Sequence, residues 1–246
     1  MWVRTEKAER ANHDVAGGRP LDVDSTCSEA EADRAFEVVD GGGVVLVRTV
    51  VGYGLIGRSD EAIRRMYALK QRPAANPLIV VGNIPLLERI TVPLPGPIRG
   101  WLDDIIGRTT LAVINDLDPA SPLLAKLTPL AREHGTKDGT VAVFLNTGWM
   151  PEQLASRALQ AGYILLGTSA NASGKGNSHH FSSVPAEMVA GVDYYLDQGP
   201  SLYQTRDKIA TTIVDLRRLT TTRIGVEAGM IMNELKQFQY EQNIAR

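Results

Sequence analysis

Arg48-Thr49-Val50-Val51-Gly52-Tyr53-Gly54-Leu55 and the later segment Tyr67-Ala68-Leu69-Lys70-Gln71-Arg72-Pro73 decide how the rest of this chain is read. The apolar run Val44-Val45-Leu46-Val47 leads into the first stretch, a glycine-interrupted turn follows, and Asp60 to Met66 carries apolar residues at helical spacing. The expected order is strand, turn, helix. Pro73 disfavours helical geometry in the residue before it, so the helix ends near Lys70 and Arg72, with two cations at its C-terminal end. They either complement the helix dipole or face one pocket, and the residues alone leave both readings open.

Downstream, Gly167-Thr168-Ser169-Ala170-Asn171-Ala172-Ser173-Gly174 follows the apolar run Tyr163-Ile164-Leu165-Leu166, so short hydroxyl and amide side chains emerge where a buried strand ends. Between these landmarks the pattern alternates. A capping box at Ser28 and Glu31 opens a helix reaching Val39, and Gly41-Gly42-Gly43 ends it. Strands are expected at Leu78–Val81, Leu111–Ile114 and Thr140–Leu145, with helices around Ile84–Arg89, Ile98–Ile106, Pro122–His134 and Pro151–Ala161. This is the pattern of an α/β sheet covered by helices, in which ligands sit where strands end. Thr49 and Ser169 both stand at expected strand ends, which points to one shared cleft.

With 246 residues, 43% of them hydrophobic, the chain buries a sizeable core without help from a disulfide or a metal. One domain is expected over residues 28–232, after a flexible N-terminal extension over 1–27 and before a polar, helix-prone tail over 233–246. The single Cys27 excludes an intrachain disulfide and fits a reducing, cytoplasmic setting. A net charge of −2 argues against a protein built mainly to grip duplex RNA, and no apolar run is long enough to span a membrane. His179-His180 has no nearby cysteine or carboxylate and reads as a solvated loop rather than a metal or acid–base site. Asn115-Asp116-Leu117-Asp118-Pro119 reads as turn chemistry.

Leu69-Lys70-Gln71-Arg72-Pro73, Pro77-Leu78-Ile79-Val80, Ser169-Ala170-Asn171-Ala172-Ser173-Gly174 and Thr211-Thr212-Ile213-Val214-Asp215-Leu216 occur in one order. In them the chain resembles the YrdC/YciO family, whose best-known members are threonylcarbamoyl-adenylate synthases. The resemblance implies a single YrdC-like domain with a twisted mixed β-sheet, flanking helices and an open ligand cleft. It implies a nucleotidyltransferase that condenses ATP, bicarbonate and L-threonine to threonylcarbamoyl-adenylate and pyrophosphate for tRNA modification, with ATP and Mg2+ bound and with partner proteins of that modification. It assigns ATP and phosphate binding to Lys70, Arg72, Ser169 and Asn171, and substrate binding to Thr49 and Tyr53. Displacement at an α-phosphate needs fixed cations and donors aimed at phosphate oxygens, which such side chains supply.

The departures lie at the amino-acid end. Arg48 stands where the family has proline, Val50 where it has an acid, Val51 where it has a second threonine and Phe144 where it has an arginine. The family's late Arg-x-Gly falls at either Arg223-Ile224-Gly225 or Glu227-Ala228-Gly229. Two alternatives therefore accompany the synthase reading: a divergent paralogue that binds ATP or an adenylate and uses another amino acid or carbamoyl acceptor, and a non-catalytic protein that binds a nucleotide or double-stranded RNA.

Overall fold

The computed structural model describes residues 27–73 and 75–244, so the extension expected over 1–27 lies outside the described residues except for Cys27. In chain order the strands are β1 (Val45–Thr49), β2 (Gly52–Gly57), β3 (Ile79–Val81), β4 (Leu111–Asp116), β5 (Thr140–Leu145), β6 (Leu165–Ser169), β7 (Tyr194–Tyr195), β8 (Ile213–Asp215) and β9 (Thr220–Arg223). The helices are α1 (Glu29–Asp40), α2 (Asp60–Lys70), α3 (Ile84–Ile90), α4 (Gly96–Ile106), α5 (Pro122–Ala125), α6 (Pro129–Gly135), α7 (Trp149–Ala161), α8 (Ala186–Ala190) and α9 (Ala228–Ile244). All nine strands join one mixed sheet in the order β7-β1-β2-β6-β3-β5-β4-β8-β9.

Local chemistry accounts for most boundaries. The Ser28 hydroxyl accepts from the Glu31 amide at 3.2 Å while the Glu31 carboxylate accepts from the Ser28 amide at 2.7 Å, so both ends of the expected capping box are made. The expected turn between the first strand and α2 is instead a second strand. β2 pairs with β1 across the two-residue turn Val50-Val51 and with β6 on its other edge, and this double pairing holds glycine-rich backbone extended. Gly52 sits at φ +137° with a position for Cβ only 2.9 Å from the Ser178 carbonyl oxygen, so this corner requires glycine.

Two other expectations are corrected. The helix expected over 122–134 is two helices, because Thr128 caps a fresh start with its hydroxyl accepting from the Ala131 amide at 3.0 Å and Pro129 opens α6. The polar tail expected from 233 is the continuation of α9, which starts at Ala228 and buries Ile231, Leu235 and Phe238; Phe238 lies 6.1 Å from the Trp101 ring. Its apolar residues at helical spacing are sparse, which is why composition alone reads as a tail.

The two sheet faces are covered unequally. The main core sets Leu46, Leu55, Val80, Val143, Leu166 and Val214 against helices that include α2, α3, α4 and α9. On the opposite face α1 and α7 cover one half, packing Ala35, Val39, Leu154 and Ala158 against Val45, Val47, Ile56 and Leu165. The other half carries a smaller apolar cluster, with Val51, Phe144, Ile79 and Ile213 among its members, none of which lies on a helix. An α/β sheet face without helical cover is a ready ligand platform.

Gly225 shows how tightly β8 and the chain after β9 are held together: a Cβ there would lie 2.2 Å from the Ala210 carbonyl oxygen, an obstacle of rigid backbone. Gly225→Ala is expected to lower unfolding free energy by about 1–3 kcal/mol, measured by urea denaturation, as overpacking does elsewhere.

Candidate functional site

The uncovered half of the sheet forms the floor of a cleft of about 280 Å³. Its floor comes from side chains of adjacent strands, Ile79 and Val81 on β3, Ala142 and Phe144 on β5, Ile114 on β4 and Ile213 on β8. Tyr53, Thr168, Ser169, Arg72 and Arg223 also line it, as do Thr49 and Val51 around the β1–β2 turn and Thr147 and Pro151 after β5. Thr49 at the end of β1 and Ser169 at the end of β6 both line it.

Of the four residues expected to hold phosphate, Arg72 and Ser169 line the cleft. Lys70 and Asn171 stand behind it. The Lys70 ammonium, on a residue only 2% exposed, donates to the carbonyl oxygens of Ser169 at 2.5 Å and Asn171 at 2.8 Å, with the Ser169 hydroxyl at 3.2 Å and the Asn171 amide oxygen at 3.3 Å. Burial, with the like charge of Arg72 second, lowers its pKa to about 8. Lys70 thus shapes the loop that presents Ser169.

Arg72 donates from Nε to the Asn76 carbonyl at 3.0 Å and from one terminal nitrogen to the Pro77 carbonyl at 2.6 Å. Arg223 donates from Nε to the Thr211 carbonyl at 2.9 Å. Protein packed around the Arg223 guanidinium, with the charge of Arg72 second, pulls its pKa below the ordinary arginine value, although the residue keeps an exposed surface on which solvent screens the effect. Among the described residues neither arginine is within ion-pair distance of a carboxylate, and no carboxylate lines the cleft. Two arginines lining one cleft without a carboxylate partner have donors suited to an anion. Of the two places where the late Arg-x-Gly could fall, Arg223 lines the cleft and Glu227 does not.

Both residues expected at the substrate end line the cleft, but their hydroxyls are already engaged. Thr49 Oγ1 donates to the Gly52 carbonyl at 2.7 Å and accepts from the Val51 amide at 3.3 Å, closing its own turn. The Tyr53 hydroxyl donates to the Gly199 carbonyl at 2.8 Å and accepts from the Gln198 amide at 2.9 Å; burial pushes its pKa to about 12. Arg48 grips the same strap, donating to the carbonyls of Gln198 at 2.7 Å and Pro200 at 2.8 Å. The departure from proline at this position therefore serves the 197–200 segment.

Sequence reasoning missed Thr147. It is fully buried, lines the cleft, and its hydroxyl has no hydrogen-bond partner among the described residues. Its signal was present, for Leu145-Asn146-Thr147-Gly148 is a short hydroxyl at a strand end, as Ser169 is. His179 is also corrected. It is 7% exposed and accepts at Nε2 from the Thr205 amide at 3.3 Å, with Nδ1 3.2 Å from the Ser201 hydroxyl, so it stitches two loops together; burial lowers its pKa. A sequence window cannot show that a distant loop covers it.

Residues 37–225 match the model of the Sua5/YciO/YrdC family, described as "Telomere recombination". The chain belongs to this family. Family membership and the mixed nine-stranded sheet agree with the resemblance carried by the Lys70–Pro73 and Ser169–Gly174 segments. Among solved structures, a hypothetical protein, smu.1377c, from Streptococcus mutans UA159 superposes with a TM-score of 0.69 at 19% identity, covering 83% of this chain and 90% of that one. P. abyssi Sua5 complexed with L-threonine gives 0.63 at 22% identity, covering 84% of this chain and 58% of that chain. E. coli YciO gives 0.61 at 19% identity, covering 81% and 91%. At these identities the superpositions report the shared fold. A comparison with curated proteins finds no match. Among the described residues no helix is long and apolar enough to cross a membrane.

Behind Thr147, the Glu152 carboxylate accepts from the Thr147 amide at 3.2 Å, and burial raises its pKa from 4.5 to about 7. Between those values the folded state keeps a proton that the unfolded chain has lost, so this group's contribution to stability falls as pH rises through the window. Glu152→Gln is expected to gain on the parent by on the order of 3 kcal/mol between pH 4.5 and pH 8, read from urea denaturation at both pH values.

Proposed function

We propose that this protein is an ATP-dependent enzyme of the threonylcarbamoyl-adenylate synthase type, acting in tRNA modification in the cytoplasm. The observation that supports this most is the pair of uncompensated arginines, Arg72 and Arg223, facing one cleft with Ser169. A polyphosphate is the anion such an arrangement suits, because each guanidinium spreads donors over several oxygens. In the proposed reaction an amino acid's amine and bicarbonate form a carbamate with loss of water. A carbamate oxygen then attacks the α-phosphorus of ATP, the bond to the bridging oxygen breaks, and pyrophosphate leaves. Arg72 and Arg223 hold the charge that grows on the leaving group, and the Ser169 hydroxyl places the chain of phosphates.

Lys70 and Asn171 are proposed to act by setting the loop that carries Ser169. Magnesium, which accepts hard oxygen ligands, neutralises phosphate charge when it is bound; a cleft lining without carboxylates suits an ion that arrives with the nucleotide and keeps its waters. Partner proteins of the modification pathway would receive the adenylate.

A second reading, a paralogue with a different acceptor, is favoured by one specific observation. The wall beside the cleft turn is apolar, with Val51 and Phe144 in the positions that carry polar groups in the family pattern, and the Thr49 hydroxyl is occupied. A binding-only protein for nucleotide or RNA is the remaining alternative, and the net charge of −2 does not favour RNA.

Purified protein is expected to release pyrophosphate from ATP, magnesium and bicarbonate when an amino acid is supplied. Arg72→Ala and Arg223→Ala should each weaken ATP binding about ten- to a hundredfold by calorimetry, the loss typical of one charge-assisted contact. ATP affinity unchanged in both variants would sink this assignment. Lys70→Met, by contrast, should also lower unfolding free energy by about 1–3 kcal/mol, because it leaves the buried Ser169 and Asn171 carbonyls without a donor.

A further inference from the structure

Asn177, in the loop after β6, is 5% exposed and lines the cleft. Its backbone amide donates to the Lys208 carbonyl at 2.9 Å, and its side-chain Nδ2 donates to the Val51 carbonyl at 2.9 Å. The loop is packed on the β1–β2 turn here: a Cβ on Gly52 would lie 3.1 Å from the Asn177 Cβ, and the Ser178 carbonyl accepts from the Tyr53 amide at 2.8 Å. A carbonyl only accepts, so the Val51 bond assigns the nitrogen end of the amide and leaves Oδ1 on its other branch. Oδ1 accepts no hydrogen bond among the described residues, yet it is not sealed from solvent as the Thr147 hydroxyl is. On a side chain this buried, the accessible face is the one in the cleft wall. The wall therefore presents a fixed, neutral acceptor.

Such an oxygen takes an N–H or O–H donor, and the surroundings choose among donors. Arg72 and Arg223 share the lining and no carboxylate does, so an ammonium entering here would meet like charge and no counter-charge. A neutral amine escapes that penalty, and it keeps the electron pair that attack on a carbon requires.

We propose that Asn177 Oδ1 receives the amine of the carbamoyl acceptor, and that the cleft takes this amine in its neutral, nucleophilic form. The amine nitrogen bonds to the bicarbonate carbon, the bond from that carbon to its hydroxyl breaks, and hydroxide leaves with one amine proton as water. No further co-reactant is needed. Asn177 holds one N–H and so orients the nitrogen's electron pair. The proposal rests on reading the cleft as an ATP-dependent carbamoylating site and adds how its acceptor is held. The charged and titratable groups around Asn177 are Arg72, Arg223 and Tyr53 in the lining, His179 two residues on, and Lys208 across the loop. Burial raises the Tyr53 pKa to about 12 and lowers that of His179.

The test is calorimetry of L-threonine, and then of each standard amino acid, on the full chain with ATP and magnesium but without bicarbonate. Buffers of different ionisation enthalpy, from about pH 7.5 to about pH 9, count the protons exchanged, on the parent, Asn177→Ala and Asn177→Asp. In the parent, amino-acid binding should release a proton and tighten about tenfold per pH unit, since only the neutral amine is taken. Asn177→Ala should weaken the amino acid about three- to tenfold, the loss of one neutral hydrogen bond, with ATP affinity unmoved. Asn177→Asp sets an anionic oxygen in the wall and should bind the ammonium, with no proton released and a flat pH dependence. Both variants lose the bond to Val51, so a purely structural role would change them alike. The proposal is overturned by amino-acid binding without proton release in the parent, by Asn177→Ala losing ATP affinity instead, by the two variants behaving alike, or by no amino acid binding to the ATP-loaded parent. A parent that fails to bind ATP removes the functional reading beneath the proposal, and the proposal with it.

Discussion

The buried ammonium of Lys70 is the constraint on which the cleft depends. An ammonium taken out of water without partners is far too costly to keep, so its position is tolerable only because oxygens of Ser169 and Asn171 surround it. The same bonds fix where those two residues are. One helix end and one strand end, 99 residues apart in the chain for the Lys70–Ser169 contact, become a single rigid corner. Arg72, two residues past the ammonium, is then carried to the cleft, with the pinned loop opposite it.

A second consequence follows from uneven cover. α1 and α7 protect one half of a sheet face, and the remaining half keeps Ile79, Ile114, Ala142 and Ile213 partly exposed. Such surface would invite non-specific association if it were flat and open, yet here it lies at the bottom of a cleft whose lining includes Thr49 and Val51 of the β1–β2 turn and Thr147 and Pro151 after β5. Arg48 and Tyr53 hold the 197–200 strap beside it through the strap's backbone carbonyls.

The hydroxyls around the cleft are engaged unequally. Thr49 and Tyr53 look like ligand contacts by position but each satisfies both its donor and its acceptor roles inside the fold. Thr147 has the opposite character: its backbone is fully engaged while its side chain is not. Buried polar groups are almost always paired, so the exception carries more information than the rule.

Sequence by itself determined the α/β class, the capping box at Ser28, the strand ends at Thr49 and Ser169 and the family segments around Lys70 and Ser169, because each depends on hydrophobic period, turn chemistry or short spacing within one window. The family resemblance also singled out Val50, Val51 and Phe144 as departures, and the structure gathers the three in one apolar cluster. Only the tertiary structure decided that the glycine-rich stretch after Val51 is a strand, since its extended form comes from pairing on both edges. It alone placed Lys70 behind the cleft and Arg223 inside it, buried His179 beneath Ser201 and Thr205, and turned a polar tail into a docked helix. The physical reason is common to all of these: a side chain's role is set by which oxygens and rings reach it from distant parts of the chain, and that information is carried by no local pattern.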